Sequence, residues 1–121
     1  MAVNPPKGTD VVYAELVKAA REMRTVTYEA LAAAAKLAKP GVRVPLGYIR
    51  DEVCRPRSLP WLTVIAVSKI TGRPGEAYLP DDLASIMDQE DQRMWWRAMV
   101  LQVFATPWHE IKCEPPPADP N

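Results

Sequence analysis

An α+β fold, mostly helical, is predicted by three features of the sequence. Two short helical segments, TYEALAAAAKLAK and RVPLGYIRDEVCR, follow one another. Close behind them comes LPWLTVIAVSKITGRPGEAYL, residues 59 to 79, an apolar, β-branched run broken by a basic Lys-Ile-Thr-Gly-Arg-Pro-Gly turn. It reads as a strand over Leu62 to Ser68, a loop and a return strand. Further on, Gln89 to Phe104 carries apolar residues at helical spacing. Two short helices followed by a basic hairpin is the order of elements in a winged helix-turn-helix, here with a small β-hairpin wing and a C-terminal helix.

Each element has a local cause. Asn4-Pro5-Pro6 and Gly8 make residues 1 to 8 a flexible arm. Thr9 or Asp10 caps a first helix reaching about Met23, with Val12, Leu16, Ala19, Ala20 and Met23 on its apolar stripe. Val26 suits a very short strand. Thr27 then caps a second helix, Tyr28 to about Ala38, rich in alanine and so able to cross the third closely. Lys39-Pro40-Gly41 stops it. A third helix covers Leu46 to Arg55, with Leu46, Ile49 and Val53 inward and Pro45 in its first turn. Asp81 or Asp82 caps a short helix through Met87. On the helix that follows, Met94, Ala98 and Leu101 define one core side, and Trp95 and Met99 lie on another. Residues 9 to 112 form a single winged-helix domain, and residues 113 to 121 a Pro-rich tail.

Length suits one domain with a real core: 121 residues. There is no apolar run long enough to span a membrane, so no membrane partner is expected. The opening MAVNPPKGTD lacks a basic segment followed by an apolar one, and two cysteines make neither a disulfide framework nor a zinc site. A cytoplasmic location is the default expectation. The formal net charge is zero, but it is unevenly spread. Residues 36 to 73 hold eight basic and two acidic side chains, a balance of +6, and residues 74 to 121 balance at −6. Such asymmetry suggests a directed electrostatic face, against the plainer reading of charges scattered over solvated surface.

The basic middle supplies the candidate site. Thr27 and Tyr28 at a helix start can contact a phosphate, or serve only as a cap and a half-buried ring. Arg43, Arg50, Arg55 and Arg57 flank the third helix and are candidates for phosphates or base edges. Lys69 and Arg73, on the turn, suit a flanking backbone or minor-groove contact, or are solvated turn charges. Trp95 and Trp96 are adjacent on a helix and point about 100° apart, so one of them is expected in a protein interface. His109 reads as a surface or structural residue. Cys54 reads as a buried thiol, with a redox role, helped by neighbouring arginines, as the lesser alternative. The segment Asp81-Asp82 to Asp88-Gln89-Glu90-Asp91 reads as caps and solvated loop. No phosphate loop, nucleophile elbow, metal-ligand cluster or paired catalytic carboxylates are present in the sequence, so neither an enzyme nor a cofactor is expected.

Three segments, VTYEALAAAA, VRVPLGYI and LPWLTVIAV, resemble the DNA-binding subdomain of the alkyltransferase-like proteins, relatives of the alkylguanine-DNA alkyltransferases. Thr27, Tyr28, Leu31 and Ala32 match that family's T-Y-G-x-(I/L)-A segment. Arg43, Val44, Leu46 and Gly47 approximate its Arg-x-V-G-x-(A/L) segment. Pro60, Trp61 and Val64 match P-(C/W)-H-R-V in part. The likeness covers residues 25 to 72. Leu62 and Thr63 replace the His-Arg pair, and Trp61 stands at the alkyl-acceptor position. The resemblance implies a winged-helix shape, not alkyl transfer or base flipping. Pro107-Trp108-His109-Glu110 echoes the same motif but lies far downstream, after a helix, and is read as coincidence.

The expected function is non-enzymatic binding of duplex DNA, in the manner of a small regulator, with a homodimer built on the tryptophan helix. The alternative is a protein-interaction module, such as a phage-encoded host modulator, that grips a protein partner with the tryptophan helix or the acidic segment.

Overall fold

The computed structural model describes residues 4–75 and 85–117. These are mostly helical, with one small parallel sheet. The first helix, α1 (Thr9–Arg21), starts behind Gly8, which adopts the left-handed φ of 83°. A Cβ on Gly8 would lie 3.2 Å from both Ala35 Cβ and Leu37 Cδ1, so glycine is required by backbone and by space. Neither Thr9 nor Asp10 caps the helix. The Thr9 hydroxyl instead donates back to the Pro6 carbonyl at 2.6 Å and is buried. That bond draws the end of the expected flexible arm onto the body.

Val12, Tyr13, Leu16, Ala19 and Ala20 form the buried face of α1. Met23 does not join them. The helix ends at Arg21, and Met23 turns left-handed at φ 55°, with the Arg24 N–H donating to the Ala19 carbonyl at 3.0 Å. This is the closing bond of a Schellman turn, a position that favours glycine. Met23 is 68% exposed and gains nothing from packing. Met23→Gly should therefore stabilise the protein by about 0.5–1 kcal/mol. Chemical denaturation checks this, and an unchanged or lower midpoint would refute it.

Strand β1 (Val26–Thr27) leads directly into α2 (Tyr28–Ala35). Thr27 is the expected cap: its hydroxyl accepts the Ala30 N–H at 3.1 Å. The helix stops three residues earlier than its alanines suggest, because Lys36 turns left-handed at φ 59° and the Leu37 N–H closes on the Ala32 carbonyl. The small side chains do permit close packing, but against α1 rather than the third helix. Next, a 3₁₀ turn over Lys39–Val42 feeds α3 (Arg43–Tyr48). Helical backbone continues as a widened turn over Ile49–Cys54 and a tight one over Arg55–Arg57. Pro56 has no N–H for the regular ladder, and the winding changes around it. Ile49, Val53 and Cys54 face the core.

The expected strand over residues 62 to 68 is not formed. Leu62–Ile65 is a 3₁₀ turn, and only Ala66–Val67 is extended, as β2. Strand β2 pairs in parallel with β1, Val26 opposite Ala66 and Thr27 opposite Val67, not antiparallel with a return strand. The β-branched run marks burial rather than extension. Leu62, Val64, Ile65 and Ala66 are wholly buried, and a short apolar run does not distinguish a buried helical turn from a strand. The return strand beyond Gly75 and the start of the helix expected from Asp81 or Asp82 lie outside the described residues.

The last helix, α4 (Gln89–Ala105), is capped by Asp88, whose carboxylate accepts the Asp91 N–H at 2.8 Å. Its inner side is the reverse of the expected one. Trp96, Met99, Val100, Val103 and Phe104 pack on the core. Met94 and Leu101 are exposed, at 62% and 65%, together with Ala98. The larger stripe buries more apolar area, and the Trp96 indole N–H also finds the Val64 carbonyl at 2.8 Å. Trp108 is buried in the following turn, its indole N–H donating to the Val103 carbonyl at 2.8 Å. The Tyr13 hydroxyl donates to the Ile111 carbonyl at 2.6 Å and so ties α1 to the segment after α4.

Candidate nucleic-acid interface

The starts of α2 and α3 open onto one cleft. The Thr27 cap fixes the first turn of α2 and with it Tyr28, the helix's first residue. The Tyr28 hydroxyl accepts the Gly75 N–H at 2.8 Å, so the chain leaving the basic turn is held against α2. Arg43, first residue of α3, and Arg50, two turns later, border the same space. Lys39, Thr63 and Pro74 complete a cleft of about 480 Å³. Consecutive elements between Tyr28 and Arg50 thus bring a phenol and three cations to one opening, which Thr63, Pro74 and Gly75 close from farther along the chain.

The cations differ in how firmly they are held. Lys39 pairs with Glu29 at 2.7 Å. That hydrogen bond holds the Glu29 carboxyl below its ordinary value, and the charge of Lys69 adds to the effect. Arg50 grips Asp51 with two bonds, Nε to Oδ1 at 2.9 Å and a terminal nitrogen to Oδ2 at 3.1 Å. Arg55 reaches the same carboxylate at 3.6 Å. Both guanidinium groups lie over the Trp61 ring, at 5.6 and 5.7 Å from its centre, within cation–π range. The Arg50 hydrogen bond is the main reason the Asp51 carboxyl sits below its ordinary value. Arg43 is exposed.

The basic turn is shaped by its own hydroxyls. The Gly72 N–H donates to the Ser68 carbonyl at 2.8 Å and the Ser68 N–H to the Arg73 carbonyl at 2.9 Å. The Ser68 hydroxyl accepts the Ile70 N–H and the Thr71 hydroxyl the Arg73 N–H. Gly72 takes φ 69°, as the turn requires. Lys69, Ile70 and Arg73 are left exposed on it.

Of the expected site residues, Tyr28, Arg43 and Arg50 converge on the cleft, and Arg55 joins through Asp51 and Trp61. Thr27 acts as the cap. Arg57 turns elsewhere: it donates to the Val53 carbonyl at 3.0 Å and the Glu114 carbonyl at 2.9 Å, fastening the C-terminal segment. The sequence sets all four arginines around one helix, but the change of winding at Pro56 redirects the last of them. Trp96 packs on the core and donates its indole N–H to the Val64 carbonyl, and both Trp95 and Trp96 are half-buried. Asp51 is Arg50's neighbour in sequence and stands four residues before Arg55, a spacing that is local to one helical face. Trp61 meets the two arginines only because the chain returns past α3 after Pro60, which local spacing does not encode.

Cys54 is buried, and burial pushes its thiol up to about 11, the opposite of an activated thiolate. Among the described residues no His, Cys, Asp and Glu side chains group as metal ligands, and no helix is long and apolar enough to cross a membrane. A second, shallower hollow of about 580 Å³ lies between α1 and Trp108–Ile111, beside Lys18, Arg21 and Glu22. It shares no residue with the basic cleft. No protein-family model, curated protein or solved structure matches this chain.

Proposed function

We propose that this protein binds duplex DNA without chemistry, as a small winged helix-turn-helix in which the Ser68–Arg73 turn takes the place of a two-stranded wing. The observation that carries the reading is the convergence of Tyr28, Arg43 and Arg50 on one cleft, with the Lys69 and Arg73 turn latched beside it. Helix α3 approaches the major groove, and its arginines meet phosphates or base edges. The turn cations hold the neighbouring backbone. The likeness to the alkyltransferase-like DNA-binding subdomain belongs to the same proposal, since Tyr28 and Arg43 border the cleft and Trp61 carries the stacked arginines.

A salt titration of duplex binding tests it. Binding should weaken steeply as salt rises, because each phosphate neutralised releases counterions. Lys69→Ala with Arg73→Ala should flatten the salt slope by about two and weaken all duplex sequences alike. An unchanged slope would show that the turn does not touch phosphates. Absence of binding at low salt would favour a second reading, a protein-interaction module. The outward Met94 and Leu101 of α4 speak for that reading, as apolar side chains exposed on one helix face.

A further inference from the structure

Asp51 engages two cations at once. Its two carboxylate oxygens accept a paired guanidinium fork from Arg50, the geometry that Arg also offers to phosphate. Its Oδ1 is also 3.6 Å from Arg55. Both guanidinium groups lie over the Trp61 ring within cation–π range, a contact that does not use their N–H donors. One carboxylate thus stands between two cations, and one of those cations lines the cleft.

We propose that Asp51 is a built-in competitor for phosphate at the Arg50–Arg55 pair, so that the pair is released only to a ligand that displaces the carboxylate. The inference rests on the duplex-DNA reading and adds a specificity-determining residue to it. The Arg50 and Asp51 side chains are 30% and 43% exposed. An ion pair in such a setting contributes little net stability, so exchange for a phosphate meets little resistance. The remaining carboxylate repels the approaching strand. A single weak phosphate contact does not compensate for that repulsion, whereas a backbone that also engages Arg43 and the basic turn does. The acid thereby suppresses loose binding and favours a ligand that fills the whole face.

The test is Asp51→Asn, which keeps the shape and removes the charge. Wild type and variant are titrated with a random-sequence duplex at about 50 mM salt and across a salt series. The variant should bind about three- to tenfold tighter, with a salt slope steeper by about one. Unchanged or weaker binding overturns the inference, because a carboxylate that only positions Arg50 and Arg55 would be missed by the DNA. Thermal unfolding of both proteins excludes a folding defect, and Asp51→Glu, which keeps the charge, should stay near wild type. If wild type binds no duplex but the variant does, the competitor role stands and the DNA-binding reading of the native protein fails. If neither binds, both fail.

Discussion

Replacing Trp108 by alanine should lower the unfolding free energy by about 3–5 kcal/mol. The side chain is 1% exposed and is the largest fully buried one among the described residues. Its removal leaves a cavity between α1 and the end of α4, and the Val103 carbonyl is deprived of its indole donor. For a domain of this size the fall in Tm should be on the order of 10–20 °C. Trp108→Phe separates the contributions: it fills most of the space without the hydrogen bond, for about 1–2 kcal/mol. A shift below about 1 kcal/mol for the alanine variant would mean that the segment after α4 does not share the core.

Removing Arg43 and Arg50 together should weaken duplex binding on the order of a hundredfold at low salt, at about 1.4 kcal/mol for each charged hydrogen bond to the DNA. Stability should hold within about 1 kcal/mol, since both side chains are partly or fully exposed and the ion pair broken is superficial. Arg43→Lys with Arg50→Lys is the informative companion. It keeps both charges, so the salt slope should persist, while the paired geometry of the guanidinium is abolished and affinity falls by less. If the double alanine variant binds like wild type, the cleft is not the DNA site, whatever the turn does.

Legibility from sequence follows the range of the interactions. Thr27 as a cap and the start of the last helix at Gln89 are readable because each depends on neighbours within one turn, whereas the short strand at Val26 is completed only by Ala66, far along the chain. The orientation of α4 is not. Its sequence is apolar on more than one side, and only the Val64 carbonyl and the α1 face decide that Trp96 turns inward. The run from Leu62 to Val67 misleads for a related reason: burial on all sides erases the periodicity that separates strand from helix. The site divides in the same way. Tyr28, Arg43 and Arg50 stand out by residue type, but the bond that brings Gly75 to Tyr28 at the cleft spans 47 positions. The distal pairing of Trp61 with Arg50 and Arg55 leaves no mark in local spacing.

The bond between the Tyr13 hydroxyl and the Ile111 carbonyl joins positions 98 residues apart. During synthesis at roughly 5–20 residues per second, that interval lasts on the order of 5–20 s. Throughout it, α1 is complete as a stretch of chain yet lacks the Trp108 turn that will cover it. Its apolar stripe, Val12, Leu16 and Ala19, must wait on the ribosome with α2, then α3 and the Leu62–Ile65 turn, for shelter. The nascent chain therefore passes through a period in which half a core is made and its lid is not. Helper proteins that shield emerging apolar surface have the most to do in that interval, and the amino-terminal helix is the segment they would meet.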